Sequence, residues 1–176
     1  MRTRAKAVNF GIVYGIGDFS LSRDLGITRK QARKYIDDYL ERYPGVKAYM
    51  HDVVEYGRQH GYVETIFGRR RYLPELKSSN FNTRSFGERV AMNMPIQGTA
   101  ADIIKIAMVN VYKELRARKM VSALILQVHD ELIVETSADE KEEVEKILKD
   151  CMENAVRLEV PLVAEVRTGS SWYETK

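Results

Sequence analysis

The apolar residues of this chain change their period at Tyr62. Upstream, Ala32, Tyr35, Ile36, Tyr39 and Leu40 recur at helical spacing, and Val46, Tyr49, Met50, Val53 and Val54 repeat the pattern. Thr28 stands where an N-cap belongs, Pro44 and Gly45 separate the two stretches, and Gly61 supplies a C-terminal stop. An earlier helix is expected over Arg2–Tyr14, ending in a glycine-rich turn at Gly15 and Gly17. From Tyr62 to Phe67 the residues alternate and are β-branched, Gly68-Arg69-Arg70 reads as a turn, and Arg71–Leu73 returns as a short strand.

Two helices follow, Ser78–Met94 and Gln97–Lys119, or one long helix bent at Pro95, because proline removes an amide donor and crowds the preceding turn. Ala123–Val128 and Leu132–Glu135 predict a buried hairpin with His129, Asp130 and Glu131 at its tip. Ser137 or Asp139 can cap a helix reaching about Asn154, with Val144, Ile147, Leu148, Met152 and Ala155 on one face. A last strand is expected over Leu162–Val166. The order is a helical first lobe, then helix, hairpin, helix and strand. It predicts an α+β chain, a helical portion over 1–61 followed over 62–176 by a small antiparallel sheet packed on helices.

The 176 residues, 44% hydrophobic, suffice for one core or two small lobes. Arg2, Arg4 and Lys6 follow Met1 directly, unlike a signal peptide, and no run approaches the roughly 20 apolar residues of a membrane span. The lone Cys151 excludes an internal disulfide and a multi-cysteine zinc site, which suits the cytoplasm. The net charge of +3 hides an asymmetry, with 17 Lys+Arg against 10 Asp+Glu in residues 1–90 and 11 against 15 in residues 91–176. A basic first half fits a polyanionic partner, and a solvated charged surface fits it equally.

Arg2, Lys6, Phe10 and Tyr14 lie four apart and so share one stripe of a helix. Two cations followed by two aromatics match the polarity of a nucleoside triphosphate, whose phosphates attract Arg and Lys and whose base and sugar pack on rings. The same spacing also describes an amphipathic helix with core aromatics and solvated cations. In the string R-T-R-A-K-A-V-N-F-G-I-V-Y-G the pattern resembles the fingers-helix motif of family A, bacterial polymerase-I-type DNA polymerases. The resemblance implies that Arg2 and Lys6 hold the phosphates, that Lys6 can protonate the leaving pyrophosphate, that Phe10 packs near the sugar, and that Tyr14 sits by the templating position. It also implies that Phe at position 10 disfavours dideoxynucleotides.

At the hairpin tip, Asp130 is a credible ligand for a hard cation, although Asp-Glu pairs are common in ordinary turns. Gln127-Val-His-Asp-Glu131 resembles the family's palm hairpin. By that resemblance Asp130 binds Mg2+, Glu131 is an auxiliary catalytic carboxylate, and His129 touches the primer terminus. Arg89, Asn93 and Gln97 continue a four-residue spacing across Pro95, which suits minor-groove acceptors and equally a solvated polar face. Within E-R-V-A-M-N-M-P-I-Q-G-T-A-A-D they resemble the family's primer-template helix. Arg69, Arg70 and Arg71, with Tyr72, resemble the segment before it and imply phosphate contacts.

The resemblance covers nearly the whole chain, including G-S-S-W-Y around Trp172. It divides the sequence into a fingers portion, 1–61, and a partial palm, 62–176. The family's second catalytic Asp belongs to a segment like D-Y-S-Q-I-E-L-R upstream of the fingers. Asp38-Tyr39-Leu40-Glu41-Arg42 lies in a helical pattern at the wrong place in the order and does not replace it. The implied activity is DNA-directed DNA synthesis with primer-template DNA and deoxynucleoside triphosphates as partners. The chain alone is expected to be inactive without the upstream polymerase segment, and the alternative is a non-catalytic nucleic-acid-binding module.

Overall fold

Thr28 begins the best-defined helix through a reciprocal capping box: its hydroxyl accepts from the Gln31 amide at 3.3 Å, and Gln31 Oε1 accepts from the Thr28 amide at 3.0 Å. The helix is α3, Arg29–Arg42. In this computed structural model, residues 2–175 are described, apart from the side chains of residues 2–4, 6 and 7. Before α3 lie α1, Arg2–Val13, and α2, Asp18–Leu25. The short α2 was not expected from the sequence. Its polar composition leaves only Leu21 and Ser22 buried, too few positions to reveal a period.

Pro44 both ends α3 and opens α4, Pro44–His60, where its missing amide is harmless in the first turn. Gly61 terminates α4 with φ +79°, as the left-handed cap requires. The hairpin of β1, Tyr62–Glu64, and β2, Arg70–Tyr72, pairs Tyr62 with Tyr72, Val63 with Arg71 and Glu64 with Arg70. The intervening loop, residues 65–69, is longer than the expected turn because Thr65 Oγ1 accepts from the amides of Phe67 and Arg69 and closes it. A 3-10 turn over Pro74–Lys77 leads to α5, Phe81–Ala117, a single helix of 37 residues that contains Pro95.

The remaining elements are β3, Ala123–Val128, β4, Glu131–Glu135, and α6, Lys141–Glu153, with a terminal 3-10 turn over Trp172–Thr175. Strands β3 and β4 are antiparallel, with an irregularity at Ile125 between the pairs Leu124–Val134 and Leu126–Ile133. The expected burial of this hairpin is corrected: Ile125 is 57% exposed and Leu126 43%. A two-stranded sheet covered on one face must leave its other face open. The expected strand over Leu162–Val166 is also corrected, since no strand forms there; the Ala164 amide is taken instead by Glu153 Oε1 at 3.0 Å. Neither Ser137 nor Asp139 caps α6. They bond to each other, and Glu140 occupies the cap position.

The chain forms two compact units, residues 1–99 and 100–176. In the first, Val54, Val63, Leu73, Leu76, Ala91 and Met92 make the core. In the second, Val111, Leu115, Val144 and Ile147 do so, with Leu148 and Cys151 packed against them. Among the described residues no helix is long and apolar enough to cross a membrane.

Candidate functional site

Within residues 1–99 the candidate residues gather along α5. Arg89, Asn93 and Gln97 stand four apart on this helix, so their stripe runs about 12 Å at 1.5 Å per residue. Arg89 and Gln97 are exposed, Arg89 with its guanidinium on Ser85 Oγ at 2.9 Å. Asn93 is half-buried, and its Oδ1 is enclosed without a hydrogen-bond partner. Such an acceptor is costly unless another group satisfies it.

Both neighbours of this stripe approach it through glycine. Gly15, immediately after Tyr14, has φ +74°, and a Cβ there would lie 2.4 Å from Met92 Cε and 3.3 Å from Arg89 Cγ. The end of α1 therefore rests on the turn of α5 that carries Arg89 and Met92. Phe10 and Tyr14, one turn apart, keep 51% and 38% of their surface exposed, with ring centroids 6.0 Å apart. Within this chain neither ring is buried in a core. The Arg2 and Lys6 side chains lie outside the described residues.

At the other end of the stripe, Gly98 admits the β1–β2 loop: a Cβ on it would lie 2.7 Å from Thr65 Cγ2, and the Ile66 amide donates to Thr99 Oγ1 at 3.2 Å. The loop that carries Arg69 and leads into Arg70 and Arg71 is thereby fixed on the Gly98–Thr99 turn of α5. Arg70 is engaged internally, with Nε 3.2 Å from Glu64 Oε2 and its guanidinium 4.4 Å from the Tyr62 ring centroid. Arg71 and Arg69 are exposed.

Within residues 100–176, the register leaves His129 and Asp130 as a two-residue loop between Val128 and Glu131. His129 takes φ +53°, a conformation that histidine adopts more readily than bulky β-branched residues do. Gln127 Nε2 donates to the His129 carbonyl at 2.7 Å and holds the loop closed. Asp130 and Glu131 are exposed, and Trp172 Nε1 donates to Glu131 Oε2 at 3.3 Å. Both acids offer only hard oxygens, the donor type that Mg2+ prefers. Among the described residues no group of three metal-ligating side chains is present.

Residues 1–174 match the model of DNA polymerase family A. The chain belongs to DNA polymerase family A. It is 57% identical over 176 residues to DNA polymerase I of Bacillus subtilis, covering all of this chain and 20% of that protein. DNA polymerase I of Caldicellulosiruptor bescii is 55% identical over the same length, of which the chain covers 21%. The chain thus spans about a fifth of the curated family A relatives it matches. Among solved structures, the POL domain of Pol1 from M. smegmatis, in complex with DNA primer-template and dNTP, is similar with a TM-score of 0.95 and 45% identity. That match covers 99% of this chain and 31% of the other.

The family A resemblance was legible in the motif spacings, whereas three supporting residues were not. Gln127 and Trp172 were quoted only as parts of motifs, and Thr65 only as a strand residue. A side chain that serves a backbone group distant in sequence leaves no periodic signal.

Proposed function

We propose that this chain serves template-directed DNA synthesis, in which a primer 3′-hydroxyl attacks the α-phosphate of a deoxynucleoside triphosphate and pyrophosphate leaves. The observation that carries this reading is the seating of Gly15 and of the Thr65 loop on the two ends of the Arg89–Gln97 stripe. A nucleotide grip, a polar rail and an arginine hairpin along one helix form a track for a duplex end. The rail's length of about 12 Å corresponds to between three and four base steps at 3.4 Å each.

In this reading Arg2 and Lys6 bind the triphosphate, and Phe10 and Tyr14 flank its sugar and base. Lys6 lends a proton to the departing pyrophosphate. Arg89, Asn93 and Gln97 test base-pair shape in the minor groove, where the Asn93 amide meets acceptors that every base pair displays. Arg69 and Arg71 serve backbone phosphates, and Arg70 does so at the expense of its bond to Glu64. His129 supports the primer terminus. Asp130 is the ligand for Mg2+, with Glu131 beside it and fixed by Trp172. When bound, the ion neutralises charge developing on the phosphate oxygens. The remaining ligands belong to an upstream polymerase segment, the fingers and palm portions divide at residues 61 and 62, and the cytoplasm is the compartment.

The test is single-nucleotide primer extension with Mg2+, using this chain alone and this chain joined to the upstream polymerase segment of the Bacillus subtilis relative. Extension only by the joined protein, abolished by Asp130→Ala, supports the reading. Extension by the chain alone refutes the assigned division of the metal site. A folded joined protein that binds primer-template and never extends it favours a non-catalytic binding module.

A further inference from the structure

Met92 makes three kinds of contact whose combination the polymerase reading leaves unexplained. Its side chain is nearly buried in the core with Val54, Val63, Leu73, Leu76 and Ala91. Its terminal methyl occupies the place where a Cβ on Gly15 would stand. Its backbone carbonyl accepts a hydrogen bond at 3.0 Å from the hydroxyl of Tyr49, a residue of α4.

The position of that bond matters because Pro95 has no amide hydrogen. The Ala91 carbonyl therefore lacks its helical donor, and the turn of α5 that carries Asn93 loses one of its internal ties. Tyr49 donates to the next carbonyl along and ties this turn to α4. Partial burial pushes the Tyr49 phenol above its ordinary pKa, which widens the pH range over which the hydroxyl can donate.

We propose that Tyr49 is a positioning residue for nucleotide selection: by holding the Met92 turn it sets the seat of Gly15, and so the placement of Tyr14 against Arg89 and Asn93. This rests on the polymerase reading above. Tyr49 lies on α4, outside the residues assigned above to DNA or nucleotide. It acts on the joint between the nucleotide-gripping helix and the primer-template helix, where a displacement of well under an ångström alters the fit of a base pair. Loss of the hydroxyl leaves the apolar packing of the ring in place and frees the turn.

The experiment uses the joined polymerase and its Tyr49→Phe and Met92→Leu variants. Correct and incorrect single-nucleotide insertion are measured under steady-state conditions, with primer-template affinity measured separately. Tyr49→Phe is expected to raise KM for the correct deoxynucleotide about fivefold, the factor that corresponds to one neutral hydrogen bond. It should narrow the discrimination against a mismatched nucleotide while primer-template affinity stays unchanged. Met92→Leu keeps an apolar side chain of similar volume and withdraws the methyl from Gly15, and it should shift KM in the same direction. The double variant should then show less than the product of the two effects, because both act through one seat. Unchanged KM and discrimination in both variants overturn the proposal. So does a uniform fall in kcat for correct and incorrect nucleotides together with a lowered melting temperature, which is the signature of a merely structural tyrosine. An inactive parental protein refutes the polymerase reading instead, so the two failures are distinguishable.

Discussion

The indole N–H of Trp172 donates to Glu131 Oε2 at 3.3 Å, joining the last turn of the chain to the residue beside the hairpin-tip aspartate across 41 positions of sequence. A carboxylate at an exposed tip is otherwise free to rotate. Trp172→Phe keeps an aromatic ring and removes the donor. In the joined polymerase it is expected to lower kcat by about two- to tenfold, the range for one typical solvent-accessible hydrogen bond, with little change in deoxynucleotide KM. Steady-state insertion kinetics check this, and an unchanged kcat refutes an orienting role for the indole.

Glu140 gives unit 100–176 a pH dependence. Its carboxylate accepts from the amides of Val121 and Ser122 and from the Ser122 hydroxyl. These bonds, the Ser122 hydroxyl first, hold the Glu140 pKa below its ordinary value. A depressed carboxylate contributes stability that is complete above the unfolded-state pKa and is lost as the pH falls through the lower, folded-state pKa. Thermal melts of wild type and Glu140→Gln should therefore differ at pH 7 and converge in acid. A difference that persists at pH 2 would mean that the variant acts through something other than the charge.

Gly57 is a packing requirement in the last turn of α4. A Cβ there would lie 2.8 Å from Leu76 Cδ1 and 3.3 Å from Val63 Cγ1, both in the core of unit 1–99. Gly57→Ala is expected to destabilise by about 1–3 kcal/mol by overpacking, against the alanine's favourable helix propensity of about 1 kcal/mol. Gly45 lies in the first turn of the same helix with nothing within 4 Å of a Cβ, so Gly45→Ala should be neutral or slightly stabilising. Denaturant melts of the two variants make the comparison.

Cys151 should resist modification. Burial against the second core pushes its thiol pKa up, aided by the charges of Glu114 and Asp150. Little thiolate then exists at neutral pH. Labelling with an aromatic disulfide reagent is expected to be slow in the folded chain and fast after unfolding in denaturant; equal rates refute the burial argument.

Phe10 is exposed near Tyr14, as a residue facing a nucleotide sugar must be before the nucleotide arrives. The family resemblance implies that Phe10→Tyr in the joined polymerase improves dideoxynucleotide incorporation. Chain-termination assays check this, and unchanged discrimination removes Phe10 from the sugar site.

Much of the fold was legible because its signals are local. The Thr28 cap, the break at Pro44 and the stop at Gly61 depend only on neighbouring residues and are read from the string, whereas the Gln31 half of the capping box and the start of α4 at Pro44 itself came from the structure. Leu162–Val166 shows the limit of such reading. Its residues alternate, yet a strand exists only when another edge accepts its hydrogen bonds, and here Glu153 takes one of the amides instead. The exposed β3–β4 hairpin shows the same limit, since an apolar run does not reveal how many of its faces are covered.

The sequence by itself determined the family and the order of the motifs, because residue types at fixed spacing on a helix or in a tight turn are set by local geometry. Tertiary structure alone decided what stands behind them. Tyr49 meets the Met92 carbonyl 43 residues away, Met92 fills the space that Gly15 leaves, and Thr65 reaches Gly98. Each depends on how closely two backbones approach. That distance follows from the packing of whole side chains against one another, and no spacing along the chain encodes it.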